Sequence, residues 1–98
     1  CRINWKQSIE NCHNLIRGLS PYPSAFTEIE GKTLKIFGAT KEFTHPLGLP
    51  GSFETDKKTY LKFAGTDGYL HLTDIQLQGK KRLPIDDFLR GYRFTDNV

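Results

Sequence analysis

Between residues 9 and 19 the apolar side chains Ile9, Cys12, Ile16 and Leu19 recur at spacings of three and four, with Lys6, Glu10, Asn11 and Asn14 on other faces. That period predicts an amphipathic helix over about residues 6 to 17, capped by Asn4 or Ser8 and stopped by Gly18, with Ser20-Pro21 just beyond. After it the period falls to two. Ala25 to Ile29 and Thr33 to Phe37 alternate apolar and polar residues around Glu30-Gly31-Lys32, which reads as a hairpin that Thr40 to Phe43 prolong. His45 to Gly51 carries two prolines and two glycines and reads as a loop. A short strand at Ser52 to Thr55 follows, then a second hairpin, Tyr60 to Ala64 and Tyr69 to Leu77, turning at Gly65-Thr-Asp-Gly68. Pro84 to Gly91 reads as a short helix with proline and acids in its first turn.

About five short strands with a helix before and another after predict a mainly β domain, a small open Greek-key barrel with flanking helices. At 98 residues the chain has the size of one domain, 1–98. Seven Phe, four Tyr and one Trp supply its core. The alternation assigns Phe26, Phe37, Phe63 and Tyr69 to that core and leaves Tyr22 and Tyr92 as candidates for a surface role. Two cysteines, Cys1 and Cys12, in a domain this aromatic indicate a reducing, cytoplasmic compartment. No apolar run approaches the roughly 20 residues that span a membrane, and no signal-peptide pattern is present. Methionine is absent and the chain opens on Cys-Arg, as expected of a piece of a longer protein.

Charge changes the picture at one place. Fourteen basic against eleven acidic residues leave a net charge of +3, too small to demand an acidic partner. Leu77-Gln-Gly-Lys-Lys-Arg-Leu-Pro84 nevertheless places three successive cations after a glycine with no anion nearby, whereas elsewhere the signs alternate. Lys80, Lys81 and Arg82 are either a solvated turn or a grip on phosphate oxygens, and composition leaves both readings open. Gly79 lets the backbone turn so that the cations project together. Arg17 and Arg90 are further candidates, weaker because either could instead pair with a carboxylate on the domain surface.

Other chemistry is poorly supported. His13, His45 and His71 are scattered over a helix, a loop and a strand without carboxylates at metal-binding spacing, and Cys12-His13 points two ways from one helix. Asp86-Asp87 sits where a helix N-terminus favours acids in any case. No phosphate loop, nucleophile elbow or Cys/His pairing is found, so no metal site and no catalytic residue is assigned.

Several segments in collinear order carry a resemblance. Ile3-Asn-Trp5, His13 to Phe26, Glu30 to Phe37, Asp67-Gly-Tyr-Leu70, Gln76 to Lys81 and Phe88-Leu-Arg-Gly91 together resemble the C-terminal domain of methionyl-tRNA formyltransferases. The resemblance implies a barrel related to the OB-fold, attached to an N-terminal catalytic domain that is absent from this chain. It implies no cofactor here, with 10-formyltetrahydrofolate as formyl donor in that other domain, and no catalytic role for this fragment. The implied partners are its own catalytic domain and initiator methionyl-tRNA, held through phosphates by Lys80, Lys81, Arg82, Arg17 and Arg90. Formyltransferases acting on nucleotide sugars and formyltetrahydrofolate dehydrogenases share such a domain, and a lid without nucleic-acid binding is the alternative from another class. The polar Thr55 to Thr59 departs from the family pattern.

Overall fold

The computed structural model describes residues 1–20 and 24–94. Helix α1 (Ile9–Leu19) presents Ile9, Cys12 and Ile16 to the interior, and its first turn is closed by Ser8, whose hydroxyl accepts from the Asn11 amide at 3.2 Å. It does not stop at Gly18. The helix continues through Leu19, which packs against the core, and Ser20 ends it by donating its amide to the Ile16 carbonyl.

Six antiparallel strands follow: β1 (Ala25–Ile29), β2 (Lys32–Phe43), β3 (Phe53–Thr55), β4 (Leu61–Ala64), β5 (Gly68–Leu77) and β6 (Leu83–Pro84), with α2 (Ile85–Gly91) after them. The first hairpin turns at Glu30 and Gly31, whose φ values of 52° and 82° suit the right-handed twist of the strands. Spatial order is β1-β2-β5-β4-β3, with β6 on β5. Three consecutive strands, β3 to β5, thus form a meander and β2 returns beside β5, which is a Greek key. Register between β2 and β5 slips around Gly38, and this bulge bends the long strand so that the sheet curls into a half-barrel. The expected open barrel is therefore present, and Thr40 to Phe43 do extend β2.

Trp5, stacked on Phe63 at 5.1 Å between centroids, joins Leu34, Ile36, Leu70 and Ile75 in the core. Phe63 and Tyr69 are buried as expected. Phe26 and Phe37 are not in the core. Burial along β1 falls on Ala25, Thr27 and Ile29, and along β2 on Leu34 and Ile36, so both phenylalanines occupy the outward parity and are only half-buried. Cations cover them: the Arg2 guanidinium lies 5.5 Å from the Phe26 ring centre and that of Arg82 4.5 Å from Phe37.

The polar segment from Thr55 to Thr59 is a carboxylate-organised turn. Asp56 accepts from the amides of Thr59, Lys58 and Tyr60 at 2.7 to 3.1 Å and from the Thr59 hydroxyl, which holds its carboxyl well below the usual range. The turn closes the β3–β4 hairpin. Cys1 and Cys12 are both free, Cys1 exposed and Cys12 buried, where burial pushes its thiol up.

Candidate nucleic-acid interface

The end of β5 positions the cationic segment. The Leu77 carbonyl accepts from the Lys80 amide at 2.9 Å across a turn in which Gly79 has φ +79°, a conformation a side chain would strain. The turn is braced from both sides. The Gln76 amide group donates to the Lys80 carbonyl at 2.8 Å, and Gln78 ties it to the start of β2, accepting from Thr33 N at 2.7 Å and donating its own amide to Thr33 O.

From this rigid turn Lys80 and Lys81 project into solvent, and neither ammonium has a carboxylate partner among the described residues. Arg82 behaves differently. Its guanidinium lies over Phe37 and 3.7 Å from Asp74, so it is partly committed to the domain's own surface. Arg90 pairs with Asp87 within α2, and that same contact explains why Asp87 is no free carboxylate for acid-base work. Arg17 is exposed in the last turn of α1 and lines neither cavity beside the cationic turn. The structure thus sets the two lysines apart from the three arginines.

Two cavities flank the turn and share Leu77 and Gly79. The larger, about 430 Å³, lies between the turn and α2, with Leu77, Leu83, Phe88 and Tyr92 for its walls and Lys80 and Lys81 at its edge. The smaller, about 240 Å³, opens on the outer face of the sheet among Thr33, Lys35, Gln76 and Gln78. Lys35 is exposed at its side, opposite Gln76 in the register. Tyr92 stacks on Phe88 at 4.9 Å and donates its hydroxyl to Glu30 at 2.6 Å. Burial and that bond push the phenol up to about 12, so it stays protonated at neutral pH. The Lys32 ammonium lies 5.2 Å from the Tyr92 ring centre, adding a cation beyond the turn.

The histidines are used structurally where they have partners: His13 donates from Nε2 to the Ala39 carbonyl, and His71 meets Glu42 at 2.6 Å. The His71 hydrogen bond is the main cause that holds the Glu42 carboxyl low.

The family model described as the formyl transferase C-terminal domain matches residues 1–93. The chain belongs to this family. Its relatives include a methionyl-tRNA formyltransferase of Phocaeicola vulgatus, 45% identical over 99% of this chain and 32% of that protein. Another, from Parabacteroides distasonis, is 46% identical over 95% of this chain and 30% of its own length. A third, from Syntrophus aciditrophicus, is 39% identical over 95% and 30%. The chain therefore spans about a third of the relatives it matches. Among solved structures, HypX from Aquifex aeolicus matches with a TM-score of 0.68 at 22% identity, over 95% of this chain and 18% of that one, which shows the shared fold. Within this formyl transferase C-terminal domain, Lys32 and Lys35 are the cations that sequence reasoning missed. Lys32 falls in the predicted hairpin turn and Lys35 stands alone in an alternating strand, and only the pairing of β2 with β5 brings Lys35 beside the cationic turn.

Proposed function

We propose that this chain is the tRNA-binding domain of a methionyl-tRNA formyltransferase. Lys80 and Lys81 hold phosphates of the RNA, Lys35 extends the grip along β2, and Arg82, Arg17 and Arg90 contribute less. The observation that carries the reading is the pair of ammonium groups on a braced turn that have no carboxylate partner among the described residues, in a family whose similar members are named for methionyl-tRNA. Such contacts give affinity and position without reading base identity. Formyl transfer from 10-formyltetrahydrofolate to the methionyl amino group of initiator tRNA would occur in the part of the longer enzyme outside this chain, in the cytoplasm. The exposed apolar side chains Phe43, Leu47 and Leu49 favour a second role for the domain, docking against that catalytic part.

Filter binding of initiator tRNA to the 98-residue chain over a salt series tests the reading. Dissociation constants on the order of 10⁻⁴ to 10⁻⁶ M, weakening with salt, are expected. Lys80→Glu with Lys81→Glu should weaken binding at least about tenfold and lower the salt slope by roughly two. Binding that ignores both salt and the double reversal would sink the proposal.

A further inference from the structure

The cationic turn has an apolar hollow beside it, and a grip on phosphates alone does not use one. The cavity between the turn and α2, about 430 Å³, falls within the range of small-ligand sites. Its walls are the side chains of Leu77, Leu83, Phe88 and Tyr92, and its charged edge is Lys80 and Lys81. The one acid on the lining, Asp87, is already paired with Arg90. A ligand that fits has a flat, weakly polar body and an anionic end. The second cavity narrows the choice. It begins on the far side of Gly79, and Thr33, Lys35, Gln76 and Gln78 give it hydrogen-bonding and cationic groups rather than apolar walls. A lone amphiphilic acid would have no use for this second cavity. A nucleotide chain would, because the base leaves a polar sugar-phosphate backbone that must continue over the turn.

We infer that the larger cavity receives one unpaired nucleobase, whose phosphate lies on Lys80 and Lys81 while the adjoining backbone crosses Gly79 toward Lys35. The inference rests on the RNA-binding reading above and gives it a specificity: single-stranded or looped RNA over a continuous duplex. Leu77, Leu83 and the rims of the stacked Phe88–Tyr92 pair offer apolar contact to a base that has left its stack, which a base held inside a duplex cannot use.

Gly91 supplies the test, because it is part of the cavity's lining, a Cβ there would meet no side chain and no other segment, and its φ is not left-handed. Gly91→Leu therefore fills the space without removing a charge, and Gly91→Ala is the control for the backbone. Binding of three probes to the 98-residue chain is measured: a short oligoadenylate, a fully paired RNA duplex of equal strand length, and adenosine monophosphate. The expected result is that G91L weakens the oligoadenylate about fivefold or more, leaves the duplex within twofold, and that G91A changes neither. In the unsubstituted chain, ring-current shifts at the methyls of Leu77 and Leu83 should accompany oligoadenylate binding, which keeps the test valid if G91L folds poorly. Oligoadenylate binding that is indifferent to G91L and moves neither methyl overturns the cavity site while sparing the phosphate grip. Binding of adenosine monophosphate alone, blocked by G91L, supports the nucleotide site but assigns it to a free ligand and overturns the RNA reading. Absence of binding by all three probes overturns both.

Discussion

Trp5 carries a single polar atom into the core, its indole N–H, and Thr27 on β1 satisfies it at 2.9 Å with both residues buried. Thr27 therefore stands at an inward position where the neighbouring pattern calls for an apolar residue. Replacing it with the isosteric valine keeps the volume and leaves the indole donor unpaired away from water. Thr27→Val should cost about 1 to 3 kcal/mol in urea unfolding with an unchanged slope; a loss under about half a kcal/mol would mean that water reaches Trp5. The same strand shows why side-chain placement was only partly legible. Alternation predicted β1, but an aromatic at even parity competes with Ala25 and Ile29 at odd parity, and size favours Phe26 for the core. The register puts Phe26 outside because Arg2, bridged to it from the N-terminal segment, covers the ring. Arg82 does the same for Phe37 from 45 residues further along the chain. Neither partner lies close in sequence, so no local pattern could announce it.

Elements were legible where periodicity ran long and was bounded by turn chemistry: α1, both principal hairpins and α2 all lie close to the predicted spans. β6 was not, since two residues have no period and its only support is pairing with Asp74 and Ile75. Gly18 was misread because glycine is a good helix stop only where the chain reverses into left-handed φ, and here Ser20 closes the helix in an extended conformation. Gly18 is thus an ordinary helical position with open space around it. Gly18→Ala should raise stability by about 0.5 to 1 kcal/mol through helix propensity; a destabilised protein would show that the glycine is needed after all. Gly68 is the contrasting case. It was expected as a turn former, yet its φ is not positive; a Cβ there would meet the Glu42 carbonyl oxygen at 2.1 Å, so the close approach of β2 and β5 demands the missing side chain. Asp67 beside it accepts from the Ile9 amide at 3.0 Å and so ties the turn to the start of α1, a link across 58 residues.

Across the whole molecule, the face carrying Lys80 and Lys81 and the loop carrying Leu47 and Leu49 present opposite chemistries. Leu47 and Leu49 are 91% and 80% exposed, and Phe43 at the end of β2 is 62% exposed. Their backbone is nonetheless fixed: Leu47 donates its amide to the Tyr69 hydroxyl at 2.9 Å, and that hydroxyl donates to Glu54 at 2.6 Å. The Leu49 carbonyl takes the Ser52 hydroxyl and amide at 2.6 and 3.0 Å. Apolar side chains held outward on a restrained loop lose little entropy on being covered, which suits the docking role proposed above, against the catalytic part of a longer formyltransferase. Burying both leucines there would contribute about 3 to 6 kcal/mol. Leu47→Ser with Leu49→Ser should leave the melting of the 98-residue chain within a degree or two, since both side chains are solvated in it. In the full-length enzyme the same pair should uncouple the domains, so that one calorimetric transition becomes two. A full-length trace unchanged by the double substitution would place the docking surface elsewhere, and a loss of stability in the short chain would show that the leucines support this fold rather than a contact beyond it.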